Sequence, residues 1–143
     1  MRTFKGEGDR QYLTGLKVGG ERVLILVDVS ASMLDETIIN VVRRRNMDAA
    51  SKRNAAKWRR ALATADWLVS NLPPTARFQM YAFNTRAQPL VAGTEGKWLL
   101  TSNGKDIEAA VTGLHQSIPA GGTSLHHALS VAGKLSQRPD NIL

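Results

Sequence analysis

Asp28-Val29-Ser30-Ala31-Ser32 is the stretch of this chain whose residue types and spacing could do chemistry. One carboxylate and two hydroxyls stand at alternate positions, so three hard oxygen donors can converge on one point. Such a set suits Mg²⁺ or another hard divalent ion in octahedral coordination. The chain has no cysteine and the motif has no histidine beside it, which argues against zinc and excludes disulfides, thiolate sites and cysteine nucleophiles. The plainer alternative is a strand-to-helix turn in which Asp28 and the serines only cap the next helix.

The elements around the motif decide whether those oxygens can be held. Arg22-Val23-Leu24-Ile25-Leu26-Val27-Asp28 is an unalternating apolar run, which predicts a strand covered on both faces in the middle of a parallel sheet. Asp28 then falls at the carboxyl end of that strand, where open α/β sheets bind their ligands. Residues 1–20 read as a polar, glycine-containing arm with a short strand near Tyr12-Leu13. Residues 35–51 read as an irregular connection, within a basic insertion covering about 35–56. Three- and four-residue spacing of Trp58, Leu62, Ala65, Leu68, Val69 and Leu72 predicts a helix over 52–72, closed by Asn71 and Pro73-Pro74. Arg77 to Asn84 reads as a second strand and Gln88 to Ala92 as a short third one, placed at an edge by Pro89. Helices follow over 106–116, capped by Ser102 or Asn103, and over 124–135 after Gly121-Gly122. Pro139-Asp140-Asn141-Ile142-Leu143 reads as the start of a new strand. The alternation predicts a doubly wound α/β domain over 21–143 with helices on both faces.

Asp28-x-Ser30-x-Ser32-Met33 after an apolar strand resembles the metal-ion-dependent adhesion site of von Willebrand factor type A domains, including those of bacterial proteins. Gly121-Gly122-Thr123 is similar to the threonine loop that supplies the second part of that site, and Leu125, Ala128 and Leu129 follow like the family's next helix. The resemblance covers roughly residues 20–143. It implies a Rossmann-like, mostly parallel sheet and no enzymatic step. It also implies a protein-binding module in which Asp28, Ser30, Ser32 and Thr123 hold Mg²⁺, Mn²⁺ or Ca²⁺, directly or through water. A partner's Asp or Glu carboxylate fills an open position on the ion. The family's remaining site residue, an Asp in a Thr-Asp-Gly turn after the fourth strand, is not in this sequence, which stops at Leu143 inside that expected strand. The resemblance thus implies a fold incomplete after the start of the fourth strand. An open sheet edge would suit self-association or completion by another chain.

Composition narrows the alternatives. With 143 residues and 43% apolar content, the chain has the makings of one globular core. Its net charge of +7 is concentrated. Arg43, Arg44, Arg45, Lys52, Arg53, Lys57, Arg59 and Arg60 stand together with one acid, Asp48, while the charges elsewhere cancel. A second reading gives this segment to nucleic acid or anionic lipid, with the metal site vestigial. No aromatic stacking platform accompanies it, and solvated surface is the plainer account. Asp35 and Glu36 read as solvated or paired with nearby arginines. His126 and His127 point about 100° apart on a helix and do not suit one ion; His115 is isolated. No Gly-x-Ser-x-Gly elbow occurs, and Gly93 to Trp98 lacks the spacing of a phosphate loop. Asp28 as a phosphoryl acceptor would need a further acidic cluster and a placed lysine, and the sequence order offers neither. The N-terminus lacks the apolar stretch of a signal peptide, and no apolar run is long enough to span a bilayer.

Overall fold

The computed structural model describes residues 21–35, 41–43 and 45–143. The expected strand near Tyr12-Leu13, together with Glu36 and Arg44, lies outside them. The first strand, β1, runs Arg22–Asp28 as expected and leads into a 3-10 turn at Ala31–Leu34. A short helix α1 (Ala49–Arg53) precedes the long α2 (Ala56–Ser70). Strand β2 (Arg77–Phe83), the short β3 (Ala87–Pro89) and β4 (Leu99–Leu100) follow. Helices α3 (Gly104–Gln116) and α4 (Leu125–Lys134) and strand β5 (Asn141–Ile142) complete the described order.

The sheet order is β3-β2-β1-β5, with β4 also pairing β2. The longest register is parallel, joining β1 to β2 from Arg22↔Arg77 to Asp28↔Phe83, and β5 joins the other side of β1 in parallel. The two short strands β3 and β4 add antiparallel to β2. A long parallel pair needs crossover helices, and these cover both faces. Val23, Ile25 and Val27 of β1 join Phe78 and Met80 of β2 in one core, closed by Trp58, Leu62 and Leu68 of α2 and Leu114 of α3. Leu24 and Tyr81 face the other way, into a smaller cluster with Val131 and Leu135. Alternate residues of β1 therefore enter two different cores, which is why the strand reads as unbroken apolar sequence. Fully burying each large apolar side chain contributes about 1.5–3 kcal/mol.

Two expectations need correction. The helix expected over 52–72 is two helices, and the first begins at Ala49, inside the connection over 35–51 expected to be irregular. Asp48 caps the first by accepting from the Ser51 N–H, Asn54 closes it, and Ala55 turns extended, with ψ of 133°, before α2 begins. Ala55 is itself buried, so the kink is held by packing rather than by a helix-breaking residue. The third strand occupies 87–89 rather than 88–92, and β4 was not foreseen. Gln79 explains the irregular chain between them. This fully buried side chain donates to the carbonyls of Thr94 and Lys97 at 3.1 and 2.9 Å, and fastens a loop where a longer strand would otherwise run. Pro89 does sit at the sheet edge, as its missing N–H requires. Among the described residues no helix is long and apolar enough to cross a membrane.

Candidate metal centre

Asp28 is the last residue of β1 and is half-buried. Its Oδ1 accepts the Ser30 N–H at 2.8 Å, which folds the chain back over the strand end and fixes the carboxylate. Ser30 is 1% exposed, and its Oγ lies 2.8 Å from Oγ of Ser32. Ser30 stands at the cap position of the 3-10 turn, yet its side chain makes no capping bond. The capping account of these serines therefore fails for Ser30: its hydroxyl faces a second hydroxyl instead of a backbone N–H.

The Gly121-Gly122-Thr123 loop is bonded to this one. The Ala31 N–H donates to Gly121 O and the Ala120 N–H to Val29 O, both at 2.9 Å. Gly121 has φ of +76°, a left-handed conformation that glycine adopts without steric cost. Asn84, just past the end of β2, holds the loop from below. Its Nδ2 donates to Ala120 O at 3.1 Å, and its own carbonyl accepts the Ser124 N–H at 2.7 Å. Thr123 is exposed, two residues beyond the Gly121 contact, and its hydroxyl has no hydrogen-bond partner among the described residues. Ser124 caps α4 by accepting from the His127 N–H.

The donor set can be tested against an ion. An octahedral Mg²⁺ shell with bonds of about 2.0–2.1 Å separates adjacent oxygens by about 2.8–3.0 Å. The two serine oxygens already stand at that spacing. The same distance is ordinary for O–H···O, so the pair permits an ion without requiring one. Asp28 supplies one carboxylate, and nowhere among the described residues, this loop included, do three His, Cys, Asp or Glu side chains gather. Asp28, Ser30 and Ser32 are oxygen donors of the kind a small hard cation takes.

Other candidates resolve differently. Trp58, inside the basic segment, is fully buried and offers no stacking face. Arg43, Arg45, Arg59 and Arg60 are exposed, whereas Lys52, Arg53 and Lys57 are half-buried. Lys57 was missed by sequence reasoning: its Nζ donates to the Ser32 carbonyl at 3.0 Å, directly on the candidate loop. A lysine at the start of a helix gives no signal of that contact. Asn84 was missed as a clamp, although an Asn ending a buried strand is a turn-forming signal. His127 Nδ1 pairs with Ser124 Oγ at 2.7 Å, and the His126 ring stands edge-on to it. His115 is not isolated: its Nε2 lies 3.0 Å from the Asp66 carboxylate and joins α3 to α2.

No family model and no curated protein matches the sequence. Among solved structures, the chain is similar to a von Willebrand factor type A protein from Catenulispora acidiphila, with a TM-score of 0.59 and 21% identity. The likeness covers 82% of this chain and 23% of that one, so the chain spans under a quarter of that structure's length. At this identity it is the fold that is shared: a Rossmann-like α/β fold of the von Willebrand factor type A kind.

Proposed function

We propose that the chain is a divalent-cation-dependent protein-docking module. Asp28, Ser30, Ser32 and Thr123 would hold Mg²⁺ or Mn²⁺, and an Asp or Glu carboxylate of the partner would complete the shell. The observation that carries this reading is the pair of 2.9 Å backbone bonds that clamp the Asp28 loop to the Gly121 loop, with a buried Ser30 hydroxyl between capping and solvent roles. The bound ion would supply positive charge for a charge-assisted contact to a carboxylate. The protein's own part is to fix its oxygens in advance, so that little conformational freedom is lost on binding. A cleft of about 240 Å³ opens beside Val29, the residue between Asp28 and Ser30, and is bordered by Asn84, Arg86, Leu90 and Ile118. The role proposed is docking, with no catalytic step.

Calorimetric titration with Mg²⁺ and Mn²⁺ tests the reading. Saturable heat is expected from the unaltered chain and none from Asp28→Ala. Equal heats from the two proteins, or none from either, would remove the metal from the account.

A further inference from the structure

Two cations are pinned beside the candidate site. Lys57 Nζ donates to the Ser32 carbonyl at 3.0 Å, and Arg53 Nε donates to the Gln116 carbonyl at 3.3 Å. Ser32 belongs to the first loop of the site. Gln116 ends α3, directly before the chain that runs into the Gly121 loop. The two side chains come from either side of the Asn54–Ala55 kink, one closing α1 and the other opening α2. Each uses a single donor on its anchor. Lys57 keeps two N–H donors and Arg53 keeps both terminal amino groups of its guanidinium. Among the described residues no carboxylate pairs with either, and the first turn of α2 holds no acid. Both are half-buried, so their charges are screened less than those of the exposed Arg43 and Arg59. Anchoring also lowers the side-chain entropy lost when a further bond forms.

We infer that the docked partner is an acidic protein segment, whose second carboxylate binds Arg53 and Lys57 while the first meets the ion. This rests on the docking reading above and names the chemistry of its partner. An acidic segment fits better than nucleic acid because Lys57 is fixed to the candidate carboxylate-binding loop and Arg53 to the end of the helix that leads into the second loop. The one tryptophan of the basic segment is also buried away from any base.

The test compares two blocked peptides in the presence of Mn²⁺, one with a single Asp among glycines and one with the same Asp flanked by glutamates. The flanked peptide should bind about three- to tenfold tighter, as expected for one or two partly screened ion pairs. That ratio should fall to near one in Arg53→Gln/Lys57→Met. It should survive in Arg43→Gln/Arg59→Gln, which removes equal charge from exposed positions. Raising salt from about 0.05 to about 0.5 M should shrink the ratio in the unaltered protein, a reading that does not depend on any variant folding. A ratio near one in the unaltered protein, a ratio unchanged in Arg53→Gln/Lys57→Met, or equal losses in both variants would overturn the acidic-segment inference alone. A short single-stranded oligonucleotide that bound without Mn²⁺ and displaced the flanked peptide in its presence would overturn it in favour of nucleic acid. If the single-Asp peptide showed no Mn²⁺-dependent binding at all, the docking reading itself would fall.

Discussion

Alanine at Gly113 and alanine at Gly133 should move the stability of this protein in opposite directions. Both glycines lie in helices, Gly113 in α3 and Gly133 near the end of α4. Replacing a helical glycine by alanine ordinarily stabilises by about 0.5–1 kcal/mol, because alanine loses less backbone freedom on folding. At Gly133 an added Cβ meets nothing within 4 Å, so a gain at the lower end of that range is expected. At Gly113 the same Cβ would stand 2.8 Å from the carbonyl oxygen of Leu90. The peptide unit just before it is tied to β2, where the Leu90 N–H donates to Met80 O at 2.9 Å, so the backbone there has little room to retreat. Overpacking of this kind costs about 1–3 kcal/mol, which exceeds the helix gain and leaves a net loss of about 1–2 kcal/mol. Urea unfolding followed by circular dichroism reads both. With a slope of about 1–2 kcal/mol per molar, the two midpoints should separate by about 1 M. If both variants were stabilised alike, α3 would not be seated on the chain at Leu90, just past β3.

Two further perturbations follow from single polar groups. Thr101→Val should destabilise by about 1–2 kcal/mol in the same urea assay, since the buried hydroxyl lies 2.6 Å from Ala76 O and 2.8 Å from Pro73 O. An unchanged midpoint would show those carbonyls to be served by water instead. At Asp140 desolvation opposes ionisation, but the backbone N–H groups of Glu21 and Arg22 and the Arg22 charge outweigh it, so the carboxyl is held below its ordinary value. A lowered folded-state pKa means the unfolded chain binds the proton more readily. The contribution is therefore complete above about pH 4 and is lost as pH falls through the folded value. The midpoint difference between the unaltered protein and Asp140→Asn should accordingly close in acid; a difference that persisted there would assign the effect to something other than the charge.

Much of the fold is legible in the sequence because its periodicities are strong. The unbroken apolar run of β1 can satisfy two cores only from the middle of a sheet, and Asn103 and Ser124 cap α3 and α4 with side chains suited to that role. The kink at Asn54–Ala55 is not legible. Lys52, Arg53, Ala55, Ala56 and Lys57 all favour helix, and the break comes from the burial of Ala55 against distant elements. Two-residue β4 is too short to show a period, and Gln79 in a strand looks like a flaw until its loop partners are known. At the candidate site, the Asp28-Ser30-Ser32 spacing marks the loop. Its clamps at Asn84 and Lys57 depend on which chain segments meet in space, and no local pattern carries that.

The buried indole of Trp58 gives the protein an optical property. It packs in the same core as Ala31 and Leu34, beneath the candidate loop, and its Nε1 has no hydrogen-bond partner among the described residues. An indole excluded from water and without a bonded N–H emits at short wavelength, because no polar neighbours relax around its excited state. Trp98, by contrast, donates to Gln137 O at 3.0 Å near the surface and should emit further to the red. Trp58, with the half-buried Trp67 of α2, thus supplies the blue side of the fluorescence spectrum, and a rearrangement of the Asp28 loop would reach the Trp58 share of it without any added label.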